Sequence, residues 1–375
     1  LSGAFTVVRI EGSFLGPVEG ILTDRLGSHR MALIGFLITS LGFFGLAMVS
    51  HPIHFYLALL AITGGVGLGS FIPVVTAVNW WFTKQRNRAL GLAMSGVGMG
   101  ALWSPLIAWG ITTHGWRIAA ATIGIVLLAT AVPLSRAIRP GRSHPSQGSN
   151  YKVSSDAGGT GKDLDAEPEF TLRQAMRTRA FWLIPLAHMT NGFTTSAVYV
   201  HGIPHLVEVG FTPLTAGYVM ATYGLTEVVM RIFGSFIGDR VDKRYAFTAY
   251  CIVQALGMVA LARAESMPGA LIFAFLFAIG HGGRGPVVVA IRGEYFGRKS
   301  FGTIMGIGNL ITSISGISTP LILGILFDTQ GTYVPGFLGM AALTFSGGFL
   351  MLGAVRPSPP RTEGLQPSPH LRSEA

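Results

Sequence analysis

The feature that constrains this chain most is a series of long apolar segments separated by short polar connections. A helix needs about 20 mostly apolar residues to cross the hydrocarbon core of a bilayer. Eleven segments qualify, at residues 5–23, 31–49, 54–78, 90–112, 118–135, 181–203, 214–237, 246–263, 269–291, 302–326 and 335–355. Only 12% of the residues are charged, about half the share found in soluble domains. The sequence therefore predicts an all-α integral membrane protein and argues against a soluble enzyme.

A long polar stretch divides these segments into two groups. Residues 136–180 are rich in Gly, Pro, Ser and charge, and such a composition cannot bury a core. We expect an N-terminal half bundle over residues 1–135, a cytoplasmic linker over 136–180 and a C-terminal six-helix bundle over 181–355. The tail, residues 356–375, is predicted to be disordered, and residues 170–179 are expected to form a short amphipathic helix.

The placement of the basic residues predicts the orientation of the chain. Of the 27 Lys and Arg residues, 22 fall in one set of alternating loops, the linker and the tail, whereas Arg117 and Arg263 lie in the opposite loops. Because cytoplasmic loops carry the excess of Lys and Arg, we expect a multi-pass plasma-membrane protein whose linker and C-terminus are cytoplasmic. The net charge of +10 then reflects topology. A nucleic-acid partner is not expected, since no basic patch is interleaved with aromatic residues.

An internal repeat relates the two halves. Sliding the sequence by 215 positions aligns Asp24-Arg25 with Asp239-Arg240, together with Gly, Lys and Pro residues across five spans. A duplicated helical bundle is typical of secondary transporters. At the same offset, the span at 181–203 has its counterpart upstream of Leu1. We therefore expect a twelve-span protein truncated before its second helix, with five N-terminal and six C-terminal spans present.

The connection after the first segment carries a recognisable motif. Its distinctive positions are Gly20, Asp24, Arg25, Gly27 and Arg30. The motif resembles the signature loop of the major facilitator superfamily, which implies two pseudo-symmetric helical bundles and a cytoplasmic gate held by charges at a helix end. Asp239 and Arg240 form the second copy of this gating motif. Ser235 and Asp242 stand there in place of glycine, which argues against equivalent action of the two copies.

Within that superfamily, the chain is similar to the monocarboxylate porters and the oxalate:formate antiporters. The similarity rests on residues 79–82 with 89–93, on the Gly-rich residues 95–100, and on Glu227 four positions before Arg231 in the eighth helix. It implies secondary active transport of a small organic anion, with a monocarboxylate moved together with protons by alternating access. The antiporters carry a lysine in the eleventh helix that is missing here, so dicarboxylate exchange of their kind is not expected.

Charged residues within the spans are the candidate binding site. Glu227 and Arg231 share one helix face with Tyr223, and an ion pair facing the cavity avoids two uncompensated charges in lipid. The resemblance assigns the anion to Arg231 and the proton to Glu227; the alternative is a fixed structural pair. Arg284 is either a second anion contact or a donor to carbonyls freed by neighbouring Gly and Pro residues. His281 is either a packing residue or a proton relay.

Polar residues at helical spacing in the span 181–203 have two interpretations. They are His188, Asn191, Thr194, Thr195 and Tyr199. They either line the cavity, with Asn191 in the binding site, or form ordinary hydrogen bonds between helices.

No covalent chemistry is expected of this chain. The sequence has no metal-ligand spacing and no nucleophile beside a base, which predicts no cofactor, no metal and no enzyme activity. The single cysteine, Cys251, is expected to be a packing residue. The predicted partners are a small organic anion, protons and the lipid bilayer, with the protein a monomer. Export of drugs or other amphiphiles, and a non-transporting membrane sensor, remain the alternative functions.

Overall fold

A computed structural model describes residues 15–82, 85–99, 103–138 and 169–359, and regular structure in these ranges is helical. The N-terminal half contains α1 (15–26), α2 (Ser28–Ala47), α3 (Pro52–Gly69), α4 (Phe71–Trp81), α5 (Arg86–Met99), α6 (Ser104–His114) and α7 (Trp116–Ala137). The C-terminal half contains α8 (Leu172–Met176), α9 (Arg179–Glu208), α10 (Pro213–Gly238), α11 (Lys243–Ala262), α12 (Met267–Phe296), α13 (Phe301–Gln330) and α14 (Val334–Leu352). The all-α prediction is confirmed.

Seven segments in the described ranges are long and apolar enough to cross a membrane. They are Ser28–Ala47, Pro52–Trp81, Trp116–Ala137, Lys243–Ala262, Met267–Phe296, Phe301–Gln330 and Val334–Leu352. Helices α9 and α10 have 30 and 26 residues, and at 1.5 Å per residue each also exceeds the roughly 30 Å hydrocarbon thickness. Both carry polar or charged residues, among them the candidate site residues Asn191 of α9 and Tyr223, Glu227 and Arg231 of α10.

Several helix boundaries differ from the predicted spans. The span 54–78 is broken at Ser70, between α3 and α4. The span 90–112 consists of α5 and α6, and residues 100–102 lie outside the described ranges. A short helix, α8, falls within the expected 170–179. Most of the predicted linker and tail, residues 139–168 and 360–375, also lies outside the described ranges.

Glycine explains where the N-terminal helices approach each other most closely. A Cβ atom on Gly35 of α2 would overlap the backbone of Gly69 in α3, and one on Gly65 would overlap the backbone of Thr39. Small residues at such positions allow helix backbones to touch, which raises dispersion contacts in a membrane. The Gly-rich end of α3 therefore packs directly on α2, immediately before the break at Ser70.

The two halves meet through a pair of equivalent helix crossings. In one, Gly20 of α1 lies against the backbone of Gly302 in α13; in the other, Gly91 of α5 lies against the backbone of Arg231 in α10. A shift of 215 residues takes α1 to residues 230–241, at the end of α10, and takes α13 back to residues 86–115, which include α5 and α6. The repeat seen in the sequence is therefore a repeat of the interface between the halves.

Both crossings lie near the same ends of the helices. Those ends adjoin the loops at residues 25–30, 85–88, 239–244 and 297–300, which contain basic residues of the larger set. We call this end of the molecule the basic side. The halves are in contact on the basic side, because α1 ends there, α13 and α5 begin there, and α10 ends there.

A disulfide can test the first crossing. A Cβ atom built on Gly16 would lie 3.7 Å from the Asn309 Cβ, and Cβ atoms in disulfides are about 3.8 Å apart. We expect Gly16→Cys/Asn309→Cys to form a disulfide between α1 and α13 under mild oxidation in membranes. With a protease site inserted in the linker, the cleaved halves should then remain joined on a non-reducing gel.

Each single-cysteine variant is the control, since the native Cys251 is buried. Separation of the oxidised halves would show that α1 and α13 are not neighbours in the membrane.

Candidate functional site

The charged residues of α10 meet α12 in one hydrogen-bonded network. Arg231 Nη2 donates to Glu227 Oε1 at 2.5 Å. His281 Nδ1 lies 3.1 Å from the same carboxylate oxygen and 2.9 Å from the Tyr223 hydroxyl. Glu227 and Tyr223 are buried, so this carboxylate is balanced by protein groups rather than by water. The structure brings together four of the residues singled out in the sequence.

Glycine residues of α12 position this network. A Cβ atom on Gly282 would lie 2.6 Å from the Glu227 carbonyl oxygen, and one on Gly283 would overlap the Tyr250 ring of α11. Helix α12 is continuous from Met267 to Phe296, with Pro286 inside it. The glycines therefore serve close helix packing, and the expected loosening of the helix at this point is not seen.

Arg231 also connects the two halves. Its Nη1 donates to the Met94 carbonyl oxygen of α5 at 2.8 Å, while Nη2 holds Glu227. The two terminal nitrogens of one guanidinium thus bond to groups in different bundles. The sequence could not predict this contact, because every residue type offers the same backbone carbonyl.

A cavity of about 270 Å³ lies between α9, α12 and α13. Its lining residues are His188, Gly192, Thr195, Ser196, Tyr199, His281, Arg284, Thr312, Ser315 and Gly316. Arg284 Nη1 donates to His188 Nδ1 at 2.6 Å. Among the described residues, we find no hydrogen bond from Arg284 to a backbone carbonyl, which removes support for the alternative in which it satisfies an irregular helix turn. The partner of Arg284 is His188, which the sequence identified only as one member of a polar stripe.

The polar stripe of α9 divides between two surroundings. His188, Thr195 and Tyr199 line the cavity. Asn191 instead faces α11: its Nδ2 donates to the Ala187 carbonyl of its own helix at 2.9 Å and to Cys251 Sγ of α11 at 3.4 Å. Because successive helix residues are rotated by about 100°, a stripe this wide cannot face one neighbour. The structure does not bring Asn191 to the other candidate site residues.

The first copy of the gating motif bonds across the halves. Asp24 accepts from Gly302 N at 2.8 Å, from Thr303 N at 2.7 Å and from Thr303 Oγ1 at 2.6 Å. These groups form the first turn of α13, whose partial positive charge attracts a carboxylate. Burial raises the pKa of Asp24 above its ordinary value, although the bonds from Thr303 and Gly302 act in the opposite direction.

The second copy makes the equivalent contact. Asp239 accepts from Asn87 N at 3.2 Å and from Arg88 N at 3.3 Å, in the first turn of α5, and forms an ion pair with Arg88 Nε at 3.3 Å. Residues 87 and 88 are 302 and 303 shifted by the 215-residue repeat. Both aspartates therefore cap a helix of the other half, although Ser235 and Asp242 replace the glycines of the motif.

The other residues of the gating motif have different positions. Gly20 is packed on Gly302, and Gly27, between α1 and α2, has a φ of +85°, a conformation that favours glycine. Exposed side chains are those of Arg25, Arg30 and Arg240. Close packing at Gly20 and the positive φ at Gly27 thus explain the glycines of the motif. The aspartates form the hydrogen bonds between the halves.

Comparisons with known proteins place this geometry in a family. A family model described as Major Facilitator Superfamily matches residues 2–206 and 184–374. "Monocarboxylate transporter 13" of Bos taurus is 23% identical over 342 residues, covering 90% of this chain and 76% of that protein. "Monocarboxylate transporter 11" of Homo sapiens is 25% identical over 385 residues, covering 94% and 77%.

Solved structures show the same fold. The E. coli fucose:proton symporter FucP superposes with a TM-score of 0.77 at 16% identity, over 95% of this chain and 91% of that one. The human organic anion transporter MFSD10 gives a TM-score of 0.73 at 14% identity, over 93% and 82%. At such identities the structural likeness establishes the fold alone.

The aspartate contacts can be tested with the disulfide described above. We expect Asp24→Asn to slow the cross-linking of Gly16→Cys to Asn309→Cys by about tenfold or more, because a charge-assisted hydrogen bond contributes about 1.5–3 kcal/mol and its loss depopulates the closed contact. Asp239→Asn should slow it in the same direction. The measurement is the rate of disulfide formation on non-reducing gels.

Asp328→Asn is the matched control, since Asp328 is exposed near the other end of α13. An unchanged rate in Asp24→Asn would mean that the aspartate does not hold the halves together.

Proposed function

Because the chain belongs to the major facilitator superfamily, we propose that this multi-pass membrane transporter carries small organic anions, and specifically a monocarboxylate together with a proton. Transport proceeds by alternating access and involves no covalent chemistry. We further propose that the protein acts as a monomer in the plasma membrane, with its linker and C-terminus in the cytoplasm. The relatives named as monocarboxylate transporters support the anion class at low identity.

The observation that carries this proposal is the pairing of Arg231 with Glu227 and His281. A guanidinium presents two parallel N–H groups, which match the two oxygens of a carboxylate. When a substrate carboxylate takes the place of Glu227 on Arg231, the Glu227 carboxylate loses its cation and takes up a proton. His281, 3.1 Å from Glu227, is positioned to pass that proton. Anion binding and proton uptake are then one event.

The contact of Arg231 with Met94 links this event to movement of the bundles. A substrate carboxylate that binds end-on to both terminal nitrogens of Arg231 competes with the Glu227 oxygen and with the Met94 carbonyl. Loss of the Met94 bond removes one attachment between α10 and α5. Substrate binding at Arg231 therefore favours separation of the halves on the basic side, which opens the site toward the cytoplasm in the proposed orientation.

The lining of the cavity favours a small anion over the alternative of an amphiphile exporter. Pockets for drug-sized ligands are mostly apolar, whereas this one contains Arg284, His188 and His281. The sensor alternative requires a folded cytoplasmic module. The described part of the linker offers only the five-residue α8 for that role.

Removal of the guanidinium tests the anion assignment. We expect Arg231→Ala to lower the uptake of [14C]pyruvate and [14C]lactate into proteoliposomes by about ten- to a hundredfold, because a charge-assisted bond of about 1.5–3 kcal/mol is lost. Arg231→Lys should recover only part of it, since an ammonium lacks the planar fork. Arg263→Gln, an exposed loop arginine, is the control for reconstitution.

Expression and monodispersity of each variant are measured alongside uptake. Normal uptake by Arg231→Ala removes Arg231 from the site, and uptake of cationic dyes in preference to carboxylates supports the exporter instead.

The isosteric variant Glu227→Gln tests the proton assignment. It keeps the shape of the side chain and one acceptor oxygen, as in the protonated acid, but cannot ionise. We expect uptake that is no longer driven by an inwardly directed proton gradient, while exchange of labelled for unlabelled pyruvate continues. The measurement is uptake with and without the gradient over a series of external pH values. Accumulation with the parent's pH dependence would contradict the role given to Glu227.

A further inference from the structure

We propose that Arg284 and His188 form a second anion site, which holds the substrate carboxylate while the halves are closed on the basic side, before the carboxylate reaches Arg231. This rests on the proposed function, because it concerns the path of the same small organic acid. The site is a loading site: it offers a cation without a carboxylate partner among the described residues, whereas the charge of Arg231 is paired with Glu227.

The charge of Arg231 is already paired with Glu227 in the closed arrangement. One terminal nitrogen bonds to the Met94 carbonyl and the other to Glu227. The residues that line the cavity include Arg284 and His188 but neither Arg231 nor Glu227. A carboxylate that enters the cavity therefore meets Arg284 first.

Arg284 is a buried cation that lies 5.9 Å from the centre of the Phe247 ring and has no carboxylate partner among the described residues. Its exposed fraction is 3%, and its Nε atom has no hydrogen-bond partner. No carboxylate of the described residues lies within ion-pair distance of it, whereas Arg231 has Glu227. A buried guanidinium without a counter-ion is costly in free energy. A substrate carboxylate supplies the missing negative charge.

His188 completes the site with a second donor. Its Nδ1 accepts a hydrogen bond from Arg284, so the imidazole is neutral and carries its proton on Nε2. The hydroxyls of Thr312 and Ser315, on α13, donate to carbonyls of their own helix, which leaves them only as acceptors toward the cavity. A carboxylate prefers the donors, so its charged end faces Arg284 and the rest of the acid faces α13.

The two anion sites are close enough for direct transfer. Arg284 and His281 are three residues apart on α12, on neighbouring turns of one face, and His281 contacts Glu227. One turn of helix is 5.4 Å. A small acid bound at Arg284 thus reaches the Glu227–Arg231 pair by moving about one helix turn. It does so when the hydrogen bond from Arg231 to the Met94 carbonyl breaks.

The closing experiment uses the chain locked by the oxidised Gly16→Cys/Asn309→Cys disulfide, with the reduced form assayed in parallel. The probe is [14C]pyruvate, and binding is measured by scintillation proximity in detergent. In the locked chain, Arg284→Met should weaken binding by about tenfold or more, and more than Arg231→Ala does. In the reduced chain, both variants should lower uptake, and Arg263→Gln should match the parent in both assays.

Thermal stability distinguishes the loading site from a purely structural role for Arg284. Because the cation has no carboxylate partner among the described residues, Arg284→Met should leave the melting temperature equal to that of the parent or higher, and Arg284→Lys should bind more strongly than Arg284→Met. A lower melting temperature together with lost binding assigns a structural role and overturns the loading site.

The outcomes separate the two proposals. Parent-like pyruvate binding and uptake by Arg284→Met, with uptake abolished in Arg231→Ala, overturns the loading site and leaves the proposed function standing. This arm is decided in the reduced chain whether or not the disulfide forms. Failure of the parent to bind or transport pyruvate, lactate or benzoate overturns the proposed function and the loading site with it.

Discussion

The bond arrangement of Arg231 is the interaction on which the closed molecule depends most directly. A guanidinium within a membrane-spanning bundle needs partners for its charge and its hydrogens, and this one takes Glu227 from its own helix and the Met94 carbonyl from the other half. The same group thereby holds the proton-binding carboxylate of the proposed mechanism and one attachment between the bundles. A ligand that binds both terminal nitrogens competes with both partners, so its binding is coupled to movement of the bundles through a direct contact.

The closed side adds a symmetric pair of charge contacts to this attachment. Asp24 caps the first turn of α13 and Asp239 caps the first turn of α5, and the glycines at the crossings bring the backbones close enough for both. Each contact joins a carboxylate to the positive end of a helix. When the contact breaks, water replaces both partners, so no hydrogen-bonding group is left unpaired. Closure on the basic side is thus maintained by several reversible contacts of modest free energy.

Particular residues show how far the sequence could predict the site. Glu227 and Arg231 are neighbours because they are four residues apart on one helix, and helical periodicity alone establishes that. His281 and Arg284 were identifiable as polar residues in an apolar segment, but their partners were not. Asn191 follows the same pattern as His188 and yet faces α11. The neighbour of each face depends on helix packing, which residue spacing does not encode.

The sequence by itself determined that the chain is a helical membrane protein, because twenty-residue apolar segments have few other ways to satisfy their backbone. It also determined the relation between the halves, since a fixed 215-residue offset survives in the residues that pack and cap. The tertiary structure decided that the α12 glycines serve packing, that Arg231 reaches Met94, and that Arg284 pairs with His188. These contacts join residues far apart in the chain, and their geometry depends on how closely the helices approach one another.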